Sequence, residues 1–253
     1  MRVLITNDDG VSADGIFALQ RALRDLHDVT VVAPERQQSA SGHAITLHKP
    51  LRLTHVALRD GTPAYASNGT PSDCAVLGVQ VAMDGKADLV ISGINRGPNL
   101  GWDVHYSGTV SAAIEASVMG IPSFAISVAS WNDDIDWSGA AHTAVRVADW
   151  LLRHPMPENT ILNVNVPDSA IEDLMGLQIT TQGSRQYIDR IERRKDPVGK
   201  PYYWLGGSVA GRAADAVLGT DVRAVADGYV SVTPLHLDMT AYTLTEHLNT
   251  LTI

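Results

Sequence analysis

The sequence predicts an α/β protein built on a mostly parallel sheet flanked by helices. Two observations predict it directly. Short apolar runs alternate with amphipathic stretches through the first two thirds of the chain. Helix-start and helix-stop residues punctuate those stretches where strand-to-helix connections are expected. A third observation concerns function: the polar residues able to carry chemistry gather just past the predicted strands, where open α/β sheets bind ligands.

Residues 3–6 form the first predicted strand. Ile16, Leu19, Leu23 and Leu26 then recur at three and four residues, predicting a helix with Arg21, Arg24 and Asp25 toward solvent. Residues 28–33 return as a strand that Pro34 ends. Thr70, Pro71 and Asp73 supply a capping hydroxyl, a first-turn proline and an acid at the third position, so a helix through Ala75, Leu77, Val79 and Met83 starts there. Residues 88–94 read as a strand, 109–119 as a helix closed by Gly120 and Pro122, and 123–129 as a strand. A helix over 140–152 and a strand over 161–166 follow.

Beyond that point the pattern changes. Residues 183–199 are charged and lack a clear period, and Tyr202, Tyr203 and Trp204 come next. This predicts an excursion from the core. Its aromatic group suits an arm serving a homodimer or a surface hairpin lying on its own domain. Residues 228–235 read as a last strand, and Leu244, Leu248 and Leu251 are spaced for a short helix or a docked end. Residues 1–253 are thus read as a single α/β domain, with a core over 1–182 and 228–235, an arm over 184–227 and a tail over 236–253.

Composition excludes several classes. With 253 residues, 45% hydrophobic and 19% charged, the chain can bury one sizeable core. A formal net charge of -9 disfavours nucleic acid and anionic lipid as partners, since both select an excess of lysine and arginine. Cys74 is the only cysteine, which rules out an intrachain disulfide or a cysteine-rich zinc site and fits a reducing compartment. No apolar run reaches the roughly 18 residues of a membrane span, and the chain opens on Arg2 and a strand, not a signal peptide. A cytoplasmic protein is expected.

Asp8 and Asp9, followed by Gly10, end the first strand. Strand side chains alternate faces, so the two carboxylates can converge on one hard cation only if the chain turns there, which Gly10 permits. Taken alone, the pair reads equally well as an acidic turn. Three further segments share its placement. Ser39, Ser41 and Gly42 make a small loop after the second strand, with hydroxyls able to ligate a cation or contact a phosphate. After the strand over 88–94, Asn95 and Asn99 offer neutral amide oxygens among Gly93, Gly97 and Gly101. Ser107, Gly108 and Thr109 open a helix whose free N–H groups and dipole suit a phosphate. His43, His105 and His236 lie near these segments, although a lone histidine is more often structural.

The combination reads as metal-assisted phosphoryl hydrolysis. Asn7 stands where an Asp-x-Asp phosphatase would carry its nucleophile. The P-loop, the Gly-x-Gly-x-x-Gly turn and the Gly-x-Ser-x-Gly elbow are all missing, so NTPase, dinucleotide and serine-hydrolase readings lose their main support. Two other classes compete: a module that binds nucleotide without turnover, and a nucleotide-sugar transferase, which would need an acceptor groove and substantial extra sequence that are not evident in 253 residues.

Taken in order, residues 5–10, 39–42, 69–74, 92–101 and 106–109 resemble the SurE family of stationary-phase survival nucleotidases, and residues 196–204 and 228–235 extend the likeness over nearly the whole chain. The resemblance implies a Rossmann-like fold and a divalent-metal-dependent phosphatase acting on nucleoside 5'- and 3'-monophosphates. It implies that Asp8, Asp9, Ser39 and Asn95 hold one cation per subunit, Mg, Mn or Ca, and that Ser107, Gly108 and Thr109 face the phosphate with Asn99 nearby. Asp8, Asp9, Asn95, Ser107 and Thr109 would then form the catalytic group, working through metal-activated water or through an aspartyl-phosphate at Asp8. It also implies homodimers or homotetramers that exchange C-terminal segments, which could bring His236 to a partner's site as a proton donor.

Overall fold

In the computed structural model, which describes residues 1–185, 187–209, 213–248 and 251, the first strand, β1 (Arg2–Thr6), sends Val3 and Ile5 into one apolar cluster and Leu4 into another. A strand apolar on both faces has to be covered on both faces. Here α1 (Asp14–Leu23) and α4 (Ser138–Leu151) cover the first face, and α2 (Pro71–Leu77) and α3 (Gly108–Val118) cover the second. The predicted α/β class, a mostly parallel sheet between helical layers, is the one observed.

The sheet has nine strands in the order β3-β4-β2-β1-β5-β6-β7-β11-β8. Its members beyond β1 are β2 (Asp28–Pro34), β3 (Leu53–Ala57), β4 (Pro63–Ser67), β5 (Leu89–Arg96), β6 (Ser123–Val128), β7 (Thr160–Val166), β8 (Leu177–Ile179) and β11 (Val230–His236). Only the β3–β4 and β7–β11 pairs are antiparallel. On β1, Val3 pairs with Val29 of β2 on one side and Leu89 of β5 on the other. The chain leaves β1 toward β2 and later returns to β5, so the order reverses between β1 and β5. That reversal opens a crevice at the carboxyl ends of the two strands.

All six predicted strands lie on members of this sheet. β3, β4 and β8 were not expected, and each is short and at or near a sheet edge. In β4 only small or partly covered side chains are involved, Ala64 and Ala66 facing inward, so no strong strand pattern is required. The predicted first helix ends earlier than its apolar spacing suggests. Leu26 is 56% exposed, because the chain turns on the Leu23 carbonyl, accepting from Leu26 and His27 N–H, to begin β2 at Asp28. The capping box at Thr70 and Asp73 starts α2 as expected, but α2 gives way to a wider turn over Gly78–Ala82 in which Met83 N–H donates to the Gly78 carbonyl at 3.0 Å. A Cβ on Gly78 would lie 2.6 Å from the Leu4 side chain, so the helix approaches β1 where it widens.

The charged stretch forms a separate antiparallel hairpin, β9 (Tyr187–Lys195) with β10 (Pro201–Val209). Asp196 closes its turn by accepting from Val198 and Lys200 N–H. Within the stretch read as an arm, α5 (Asp221–Ala226) buries Val222 and Ala224 and hydrogen-bonds to the core through Asp221. The tail carries the short helix α6 (Tyr242–Leu248), with Tyr242, Leu244 and Leu248 exposed. Among the described residues no helix is long and apolar enough to cross a membrane.

Candidate active site

Asn7 makes the turn at the end of β1. Its buried amide accepts from Gly10 N–H at 3.1 Å and donates to the Gly10 carbonyl at 3.0 Å, while Gly10 takes φ +101°. The two aspartates between them are thereby turned out of the strand. Asp8 Oδ1 accepts from the Thr109 hydroxyl at 2.5 Å, and Asp9 Oδ2 accepts from the Arg96 N–H at 3.0 Å. One carboxylate is thus fastened to the start of α3 and the other to the end of β5.

Burial pushes the Asp8 carboxyl up to about 6, against the Thr109 hydrogen bond and with the charge of Asp9 adding to the rise. Burial also raises Asp9, opposed by the backbone N–H and the charge of Arg96. Two adjacent carboxylates, one of them 4% exposed, carry an electrostatic cost that a cation would relieve.

The other strand ends bring in neutral oxygens. β5 is irregular between Ser92 and Asn95, where Gly93 (φ +147°) passes so close to β6 that a Cβ would stand 2.4 Å from the Ile126 carbonyl oxygen. Past this irregularity Asn95 donates its amide N–H to the Gly97 carbonyl at 2.8 Å, which leaves its carbonyl oxygen as the acceptor it can offer. Asn99 is held on three sides. Its N–H donates to Asn165 Oδ1, its carbonyl accepts from Asn163 and Asn165, and its side-chain amide donates to Ser127 Oγ, all at 2.8–3.1 Å. The next turn of this loop is tied to α5: Asp221, fully buried, accepts from Gly101 N–H and Gly183 N–H at 2.8 Å each.

The serine loop after β2 is pinned as well. Gln38 N–H donates to the Asp8 carbonyl, Gly42 N–H donates to the Tyr106 carbonyl, and His43 Nε2 lies 2.7 Å from Glu115 on α3. Ser39 Oγ accepts from Gln37. Ser107 caps α3 by accepting from Val110 N–H at 3.1 Å, and its hydroxyl hydrogen stays available. Gly108, the first helical residue, allows the close approach: a Cβ there would lie 2.7 Å from Ser41 Oγ and 2.9 Å from Asp8 Cβ.

These segments enclose a cleft of about 560 Å³. Of the residues singled out from sequence, Asp8, Ser39, Asn95, Asn99 and Ser107 line it. Asp9, Gly108 and Thr109 sit immediately behind, and the buried Thr109 hydroxyl is spent on Asp8. His236 is not among the lining residues of its own chain; its Nδ1 accepts from Asp238 N–H. Sequence reasoning missed the supporting residues Ser127, Asn163, Asn165 and Asp221. A signal existed for two of them: Asn163 and Asn165 share one face of an otherwise apolar strand. Ser41 was noticed only as part of its loop, yet its Oγ is buried beside Gly108 with no hydrogen-bond partner, the kind of atom a bound anion or cation satisfies.

A doubly wound sheet with an oxygen-lined acidic cleft at its topological switch defines a ligand-handling α/β protein with a polar, anion-compatible site. The family model described as "Survival protein SurE" matches residues 3–189. The chain is 49% identical over 242 residues to the 5'-nucleotidase SurE of Geotalea uraniireducens, covering 96% of this chain and 95% of that protein. It is 49% identical over 256 residues to the 5'-nucleotidase SurE of Natranaerobius thermophilus, covering 98% of each. The crystal structure of the SurE protein from Aquifex aeolicus superposes with a TM-score of 0.85 at 43% identity, covering 98% of each chain. The chain belongs to the SurE family.

Proposed function

We propose that this protein is a nucleotidase that hydrolyses nucleoside 5'- and 3'-monophosphates to nucleoside and phosphate, with one divalent cation per subunit. The observation that carries the reading is the buried Asp8, with Asp9 beside it, opening onto the same cleft as Ser107 at the N-terminus of α3. The relatives named 5'-nucleotidase support the reaction class.

Asp8, Asp9, Ser39 and Asn95 would hold the cation, and their chemistry fits one. All four are oxygen donors, as hard cations such as Mg, Mn and Ca require. Among the described residues no three His, Cys, Asp or Glu side chains gather in a metal-binding group, so neutral oxygens have to complete the shell. A cation bound there supplies Lewis-acid polarisation of the phosphoryl group and an acidified water nucleophile. The chain's own residues do the rest. The first N–H groups of α3 and the Ser107 hydroxyl donate to phosphate oxygens, and the helix dipole favours their charge. Thr109 keeps Asp8 in one orientation, and Asn163, Asn165 and Asp221 keep the Asn99 loop in place while phosphate enters and leaves.

The buried single cysteine fits a cytoplasmic protein, its thiol pushed up by burial and unreactive. Exposed Tyr203, Leu205, Leu244 and Leu248 on the hairpin and tail support pairing of subunits through those segments.

A phosphate-release assay over 3'- and 5'-monophosphates, with Mg, Mn, Ca or a chelator, tests the reading. Metal-dependent release is expected. Tight nucleotide binding with no release under any condition would instead make the protein a binding module.

A further inference from the structure

The metal- and phosphate-type residues occupy only part of the cleft. Arg96, Pro98, Asp103, Tyr106, Trp131 and Leu205 bring the other large side chains of its lining, and the Arg96 guanidinium is turned onto the Trp131 carbonyl and Asp133. Trp131 is the largest of these side chains. It follows β6, at the start of a loop that the sequence pattern did not connect with the site.

This indole is held, although it is 68% exposed. Its outer ring atoms rest on Gly97, where a Cβ would lie 2.3 Å from the ring, and Gly97 takes φ +105°. Its carbonyl accepts from the Arg96 guanidinium at 2.9 Å, and the same guanidinium pairs with Asp133 at 2.6 Å. Arg96 in turn offers its backbone N–H to Asp9. The residue that fastens one metal-type carboxylate therefore also fixes the tryptophan loop. A large aromatic ring kept in place with most of its surface in water, on the wall of a cleft whose other wall suits phosphate, is a ready stacking platform.

We propose that Trp131 is the base-binding residue of this enzyme: the purine or pyrimidine ring of the substrate stacks on its indole while the phosphate lies at the start of α3. The inference rests on the nucleotidase reading and adds the part of the substrate that reading leaves unassigned. Stacking accepts any base, so Trp131 gives preference for nucleotides over other phosphomonoesters, with little choice among bases.

The test compares 5'-AMP with ribose 5-phosphate, which has the same phosphate and sugar but no base. In Trp131→Ala the ratio of KM for 5'-AMP to KM for ribose 5-phosphate should rise by about tenfold, and Trp131→Phe should restore most of it. An unmoved ratio overturns the proposal, as does equal weakening of both substrates. A second measurement does not need turnover. With chelator present, 5'-AMP should quench the fluorescence of the wild-type protein, and Trp131→Phe, which keeps the other four of the five tryptophans, should lose that quench. If the wild type releases phosphate from neither substrate, the nucleotidase reading fails and the quench alone decides: a Trp131-dependent quench supports the base site, and its absence overturns it.

Discussion

The carboxyl edge of the sheet and the β9–β10 hairpin are built on opposite plans. At the sheet edge, residues from β1, β5, β6, β7, α3 and α5 meet over sequence separations of up to 120 residues, through buried polar contacts such as Asp221 with Gly101. Among the described residues the hairpin strands pair only with each other, and Tyr203, Trp204 and Leu205 are more than half exposed. The hairpin reaches the cleft through Leu205, Gly206 and Gly207. The contrast teaches where each kind of energy lies. The site sacrifices stability to hold charge in place, whereas the hairpin leaves apolar surface in water.

The largest expected effect breaks function while strengthening the fold. Asp8→Asn should lower metal-dependent phosphate release by about a thousandfold. The same change should stabilise the metal-free protein at pH 7. Asp8 has a folded pKa raised from 3.8 to about 6, so the folded state binds the proton more tightly than the unfolded chain does. Its penalty is absent below pH 4, grows as pH rises from 4 to 6 and is complete at pH 7, where it amounts to roughly 3 kcal/mol. Urea unfolding in chelator should show the variant more stable at pH 7 and equal to wild type near pH 3.5. Equal stability at both pH values would mean that the carboxylate is not strained.

Asp221→Ala comes next. It leaves three buried N–H groups, on Gly101, Gly183 and Val222, without their acceptor, at a cost of about 3 kcal/mol in unfolding free energy. Because the Asn99 loop loosens with it, KM should rise in protein that is still folded. A fall in stability with unchanged kinetics would show that α5 supports the fold and not the site.

Thr109→Val removes the hydroxyl from Asp8 and leaves the helix start intact, so affinity for Mn should fall by about tenfold, measured by calorimetry. Unaltered affinity would make that hydrogen bond a packing feature only. The smallest effect belongs to the hairpin. Tyr203→Ala should change monomer stability by less than about 0.5 kcal/mol. Its effect should instead be on self-association, seen as a lower mass in light scattering as the protein is diluted. A large loss of stability independent of concentration would place Tyr203 in the subunit's own core and undo the contrast.

Much of the core was legible in the sequence because burial on two faces leaves apolar runs that no other structure explains, as in β1, β5 and β6. Capping chemistry placed the starts of α2 and α3 to within a residue, since Thr70 and Ser107 satisfy their own helix starts locally. Leu26 misled because helical spacing does not say where the chain has to turn. The hairpin showed no period because both faces of a two-stranded ribbon meet water, and nothing then enforces alternation.

For the candidate site, the division follows the range of the interactions. The sequence alone determined which oxygens stand at strand ends: Asp8, Asp9, Ser39, Asn95, Asn99 and the Ser107–Thr109 helix start are local features of turn, loop and cap. Tertiary structure alone decided that Thr109 spends its hydroxyl on Asp8, that Asp221 anchors Gly101 and that Trp131 faces the cleft. Those contacts depend on which strand lies beside which, and sheet order is set by packing energy summed over the whole core, not by any segment of it.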